Sequence, residues 1–406
     1  VFRSVTVKDN TPASAFLAAL HRNLSEFGRD DLQLVRIGCR ATFIWQKSYN
    51  GVASPHLRDL ALRHRLKGKK AEFLRIERSL PLTLFEEFTV DPSTIVPEIV
   101  ACLPATANEE LFHYVVSGQS LPAETRKMRI GKFLVFDTGN PPRRLLGAIC
   151  VKSPMYFDGA RDRHLGWPDL HQWQDGVWGK NQEAVDLRNV ALTSIYNIAV
   201  CMPIHPFDQL KTGKLLAALC LSEPVISYLE TKYSSPVLGL TTTGGWGGSA
   251  GQYERIKLAA PRVGCSLQQN LFVKMRGTHR SVNFPIHLYY RNVFETAFAL
   301  LKSDNGVQSR EFADYASNLS VRKKLLFRAM RLVGISREVA ATNPIAHYFG
   351  ACSESHRLAL RSEHGIRSAP ALRALSVNDI VQFWRINHSA PGPVSGRFTR
   401  LSEIAT

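Results

Sequence analysis

Between residues 129 and 258 the apolar positions fall in blocks separated by turn residues. Phe133-Leu134-Val135-Phe136 and Leu145-Leu146-Gly147-Ala148-Ile149-Cys150-Val151 are continuous apolar runs. Asp137-Thr138-Gly139-Asn140-Pro141-Pro142 lies between them, so the pair predicts a hairpin. Residues 194–202 and 237–242 are further strand-like runs, and 208–232 between them reads as helix, with Asp208 as its N-cap. The turn Gly244-Gly245-Trp246-Gly247-Gly248-Ser249 follows. A strand that feeds a helix N-terminus is a common place to hold an anion.

The flanks have a different character. Residues 1 to about 110 read as mostly helical, with helical apolar spacing over 13–27. Asp91-Pro92-Ser93 predicts a helix start, because Asp before Pro suits the first helical positions, and the apolar run 94–102 would continue it. After Pro261 the chain turns aromatic and basic, with Phe272, Lys274, Arg276, His279, Arg280, Phe284, Tyr289, Tyr290 and Arg291. Residues 294–302 and 311–340 read as helical, the second carrying Arg322, Lys323, Lys324, Arg328, Arg331 and Arg337. Residues 389–400 read as an irregular terminus, with Pro391-Gly392-Pro393 and Gly396. The expected organisation is a mainly helical basic region over 1–120, an α+β core around a central mixed β-sheet over 121–262, and a second basic, mainly helical region over 263–406.

Composition narrows the partners. A chain of 406 residues holds two domains or one with large additions, and 45% apolar residues allow a sizeable core. Lys and Arg number 51 against 34 Asp and Glu, a formal charge of +17, which favours a polyanion such as DNA or another nucleic acid. No apolar run is long enough to suggest a membrane span. The N-terminal residues show no signal pattern. The seven cysteines are scattered and odd in number, which reads as free thiols in a reducing, cytoplasmic setting.

The candidate chemistry lies at the joints of the predicted core. Arg161-Asp162-Arg163-His164-Leu165-Gly166-Trp167 is read as a polar, aromatic loop. Its arginines could fork onto phosphates and Trp167 could stack on a base. Equally, an Arg–Asp network could pin the segment while Trp167 closes the core. His164 is a candidate base. Lys211 and Lys214 stand beside the predicted helix start, where free amides could cradle a phosphate, although Gly213 could serve close helix packing instead. Tyr253, after the glycine-rich turn, is a candidate proton donor or simply a packed ring. The stretch 58–78 holds Arg63, Arg65, Lys69 and Lys70, and could follow a phosphate backbone or be a solvated helix face. No metal-ligand spacing, nucleophile elbow or dinucleotide fingerprint is present, so no metal site is expected.

The order hairpin, strand, helix, strand over 129–258 resembles the Gcn5-related N-acetyltransferase fold. That resemblance implies acetyl-CoA or another acyl-CoA, with its pyrophosphate at 208–214 and Tyr253 as proton donor. Leu145-Leu146-Gly147, the Arg161 to Trp167 element, 190–202 and Leu215-Leu216-Ala217 are similar to the family once catalogued as domain of unknown function 4338. Its members include the DruA component of the Druantia anti-phage defence system. That resemblance implies a defence role, other subunits of the system as partners, and action on nucleic acid. Three functions are therefore expected to compete: a nucleic-acid-binding component, an acyl-CoA-dependent transferase acting on nucleobases, and a scaffold that docks subunits through residues 267–301.

Overall fold

The computed structural model describes residues 3–8, 10–26, 32–37, 40–45, 55–120, 129–174, 177–244, 251–258, 269–275, 282–283, 289–304, 319–335, 343–351, 354–369 and 374–405. The chain forms two compact units. The first comprises Val1–Arg65, Gly245–Gly248 and His279–Ile345; the second comprises Leu66–Gly244, Ser249–Thr278 and Ala346–Thr406. The compositional boundaries after 120 and after 262 both fall inside the second unit, because strand pairing there joins segments far apart in sequence.

The second unit is built on a seven-stranded mixed sheet, the α+β arrangement expected of the core. Its strands are β1 (Pro97–Ala101), β2 (Ile130–Asp137), β3 (Arg144–Lys152), β4 (Ile195–Pro203), β5 (Gly239–Gly244), β6 (Phe272–Lys274) and β7 (Ala346–Gly350). Their order across the sheet is β6-β7-β5-β4-β3-β2-β1. β4 and β5 run parallel, and every other neighbouring pair is antiparallel. The β2–β3 hairpin forms where the sequence places it, with Asp137 opposite Arg144. Leu145 through Val151 are all buried, so both faces of β3 are covered; that explains a continuous apolar run rather than an alternating one. Gly147 permits the close approach of β4, since a Cβ there would lie 2.5 Å from the Met202 carbonyl oxygen.

Parallel strands need a crossover. The crossover here is not one helix over 208–232 but a 3-10 turn, Phe207–Leu210, followed by helices Thr212–Leu219 and Glu223–Tyr233. Lys211 breaks the first joint with a left-handed backbone, φ 59°. Pro224 sets the second: lacking an N–H, it suits a first turn and interrupts a continuing helix. Asp208 therefore caps no α-helix. Its carboxylate accepts from its neighbour Gln209 N at 3.0 Å and lies 3.1 Å from His205 Nδ1.

The helix expected at 91–102 is a strand instead. The Asp91 carboxylate accepts from Ser93 N (2.8 Å) and Ser93 Oγ (2.6 Å), closing a turn in place of a helix cap. The β-branched residues that follow then enter β1 at the sheet edge, where Pro97 is tolerated. The C-terminal stretch is tied down rather than wholly irregular: Val394–Gly396 pairs with Phe88–Val90. Glu77 holds the residues after it, accepting from Ser402 N (3.0 Å), Ser402 Oγ (2.6 Å) and Tyr114 Oη (2.6 Å).

In the first unit, strands Arg3–Lys8, Leu32–Ile37 and Arg40–Trp45 form an antiparallel sheet with Arg40–Trp45 in the middle, so this region carries strands as well as the expected helices. Helices Pro12–Glu26, Arg291–Ser303 and Leu319–Leu332 share one core, with Phe16, Leu20, Phe294, Leu301, Leu326 and Met330 buried in it. Among the described residues no helix is long and apolar enough to cross a membrane.

Candidate nucleic-acid interface

The segment read as a loop at 161–167 is a short helix, Gly159–Leu165. Asp158 caps its start, accepting from Ala160 N (3.0 Å) and Arg161 N (3.3 Å), and Gly166 ends it with φ 73°. These local signals direct Arg161 and Asp162 inward. Arg161 has no solvent exposure. Its Nε (2.8 Å) and Nη2 (2.6 Å) both reach Asp162 Oδ1, and its other donors go to the Met155 (2.6 Å) and Tyr156 (2.9 Å) carbonyls. Arg188 Nη2 adds a bond to Asp162 Oδ2 at 3.2 Å. Trp167 is buried, donates from Nε1 to the Leu360 carbonyl (2.7 Å), and lies under both guanidinium groups at 4.9 and 5.5 Å. Arg161 and Trp167 thus spend their polar atoms within the protein.

Arg163, between them, is exposed. His164 is half-buried with its ring 5.5 Å from that of Phe349. Asp158 lies 3.7 Å from His347 Nδ1. Burial alone would raise the Asp158 carboxyl, but the nearby His347 ring and hydrogen bonds from the amides of Arg161 and Ala160 outweigh it and hold the pKa below the usual value.

Among the described residues, those expected to hold an acyl-CoA make contacts within the protein. The Lys214 ammonium turns onto the Glu254 carbonyl, and burial lowers its pKa. Gln252 donates to the Cys201 carbonyl of β4 (3.0 Å), and its Oε1 would lie 3.0 Å from a Cβ on Gly213. The space between β4 and the start of the Thr212–Leu219 helix is thus filled by the protein's own side chain. Tyr253 is buried between Phe272 and Tyr348, with ring centroids at 5.3 and 5.6 Å, and burial pushes its hydroxyl well up. A phenol so placed is a poor proton donor to a solvent-borne substrate. Lys211 remains exposed. The glycine-rich turn at 245–250 lies outside the described residues.

The basic run 58–78 divides between the units. Arg63 and Arg65 belong to the first, on the helix Pro55–Leu66; Lys69 and Lys70 belong to the second, at the start of the helix Lys70–Glu77. Arg63 is exposed and pairs with Asp59 at 2.8 Å. Arg65 is half-buried, and burial lowers its pKa. Lys67, Lys69, Lys70, Arg75 and Arg78 are exposed, whereas the acidic Glu77 is buried, so the second unit's part of the run presents more positive charge than the sequence count suggests.

The first unit also carries a cationic face among its described residues. The Leu319–Leu332 helix contains five Lys and Arg and no Asp or Glu. Leu325, Leu326, Ala329 and Met330 are buried, while Lys323, Lys324 and Arg331 are exposed. Lys324, Arg328 and Arg331 follow the i, i+4, i+7 spacing of one stripe over about 10 Å. Phe272, Tyr289, Phe294 and Phe298, by contrast, are core residues, so they offer no docking face within 267–301; Arg276, His279, Arg280 and Phe284 lie outside the described residues. The second unit also carries the antiparallel pair His171–Gln174 with Val177–Lys180, whose signal in the sequence is Asp175-Gly176 between alternating aromatics.

The fold and its charged faces define a mixed α/β protein with basic helices on each unit. The family model described as Druantia protein DruA matches residues 53–259, just over half of the chain, and the chain belongs to this family. Membership implies a component of a Druantia anti-phage defence system and points to other subunits of that system as partners. No curated protein and no solved structure matches the chain. The match ends before β6 and β7, so two strands of the central sheet come from beyond it.

Proposed function

We propose that this DruA-family chain is the component of its defence system that binds nucleic acid. The observation that carries the reading is the Leu319–Leu332 helix: its apolar side is buried and its solvent side is cationic, without a single carboxylate along its length. Lys and Arg side chains held at helical spacing on a rigid element are suited to neutralising successive phosphates. Exposed Arg63 on the first unit, and exposed Arg163 and Lys211 on the second, add cationic contacts on each unit, while exposed Lys69 and Lys70 add to the surrounding positive field. Arg161 and Trp167 serve from the inside, by fixing the helix that carries Arg163.

The test is binding of the full chain to labelled duplex DNA and RNA at two salt concentrations. Affinity should fall steeply with salt. The variant K323E/K324E/R331E should bind at least roughly tenfold more weakly and flatten the log–log salt slope by up to about 2.7. A chain that binds neither DNA nor RNA at low salt ends this reading.

A further inference from the structure

The hairpin inserted between β3 and β4 carries an aromatic face that the described residues leave exposed. Its register pairs His171 with Lys180, Gln172 with Gly179, Trp173 with Trp178 and Gln174 with Val177. Cross-strand partners share a face and successive pairs alternate. Trp173, Trp178, His171 and Lys180 therefore stand on one side. All four are exposed, the tryptophans by 69% and 57%. Trp173 and Trp178 lie with ring centroids 5.6 Å apart, and His171 stacks on Trp178 with the planes 16° apart.

The ribbon is anchored through its base, not through these rings. Asn181 N donates to the Leu170 carbonyl (2.8 Å), Asn181 Nδ2 donates to Gln172 Oε1 (3.1 Å), and Asn181 Oδ1 caps the Gln182–Ala191 helix through Ala184 N (3.2 Å). A two-stranded ribbon gains little stability alone, and leaving two indoles in water forgoes the burial that would support it.

We propose that this face stacks unpaired bases of single-stranded nucleic acid, with Lys180 on an adjoining phosphate. The proposal rests on the nucleic-acid reading above and narrows it to a strand structure. Charge complementarity selects the occupant: among the described residues the face combines π-surfaces with a lysine and a histidine, and none of these four is a carboxylate. A protein hot spot would instead place its indoles inside a surround that excludes water. Duplex bases hide their faces in the stack, so free indoles discriminate for unpaired ones.

The test compares a labelled mixed-sequence oligonucleotide, single-stranded and as its duplex, against the full chain, W173A/W178A, W173F/W178F and K323E/K324E/R331E. The alanine pair should weaken single-strand binding roughly tenfold or more and leave duplex binding unchanged. The phenylalanine pair should recover most of the loss. The charge variant should weaken both. Melting curves of the exposed-site variants should match the parent. Equal loss on both strands overturns the stacking assignment. So does an unchanged single-strand Kd, even if the alanine pair loses a partner subunit, an outcome that would assign the face to protein. In either case the nucleic-acid reading stands so long as the parent binds; if the parent binds neither strand form, both fail.

Discussion

Arg161 is a full positive charge with no solvent exposure, held because every partner is in place. Removing it leaves Asp162 buried beside Arg188 alone, so Arg161→Ala should destabilise the fold by about 3–5 kcal/mol. Urea unfolding of the variant measures this, and a loss below about 1 kcal/mol would mean that the network contributes little. The density of functional residue types at 161–167 was legible in the sequence, but the side they face was not. Arg188 lies 26 residues from Asp162, and the Leu360 carbonyl lies 193 residues from Trp167, distances over which local pattern says nothing. Asp158 adds a pH-dependent prediction. Its folded pKa lies below the ordinary 3.8, so its stabilising contribution is complete above 3.8 and is lost as pH falls through the folded value. The stability gap between the parent and Asp158→Asn should be smaller at pH 3 than at pH 5. A gap that widened at pH 3 would contradict the assigned direction.

At the scale of elements, strands with strong apolar runs read true, because burial on both faces leaves an unmistakable pattern, as in β3. β7 escaped for the opposite reason. Ala346-His347-Tyr348-Phe349-Gly350 is short and mixed, and becomes a strand through pairing with β5 and β6 on either side. The broken crossover was readable only in part: Pro224 marks one joint, but the left-handed Lys211 carries no glycine to announce it. That joint is held from elsewhere. Trp384, on the helix Val377–Asn387, is 1% exposed and donates from Nε1 to the Lys211 carbonyl at 3.3 Å. Trp384→Ala should therefore cost about 3–5 kcal/mol, while Trp384→Phe, which keeps most of the ring volume, should cost clearly less. Equal losses in thermal unfolding would place the whole contribution in the hydrogen bond rather than in packing.

For the whole molecule the question is whether charge acts by amount or by placement. The first unit holds 20 of the 51 Lys and Arg but only ten of the 34 Asp and Glu, so it carries more than half of the +17 excess on about a third of the chain. That asymmetry was countable in the sequence, yet its meaning needed the fold, since the first unit is assembled from three segments separated by parts of the second. Two variants separate the alternatives. K323E/K324E/R331E alters the Leu319–Leu332 helix of the first unit, and K67E/K69E/K70E alters exposed lysines of the second; each lowers the formal charge from +17 to about +11. A diffuse field would make them equivalent, because at 0.15 M salt charges beyond about 8 Å are screened alike. Direct phosphate contact would not. The first variant should lose far more affinity for duplex DNA than the second, and only its salt slope should flatten by more than about 2. Matching losses and matching slopes would reduce the interaction to net charge and remove the Leu319–Leu332 helix from the interface.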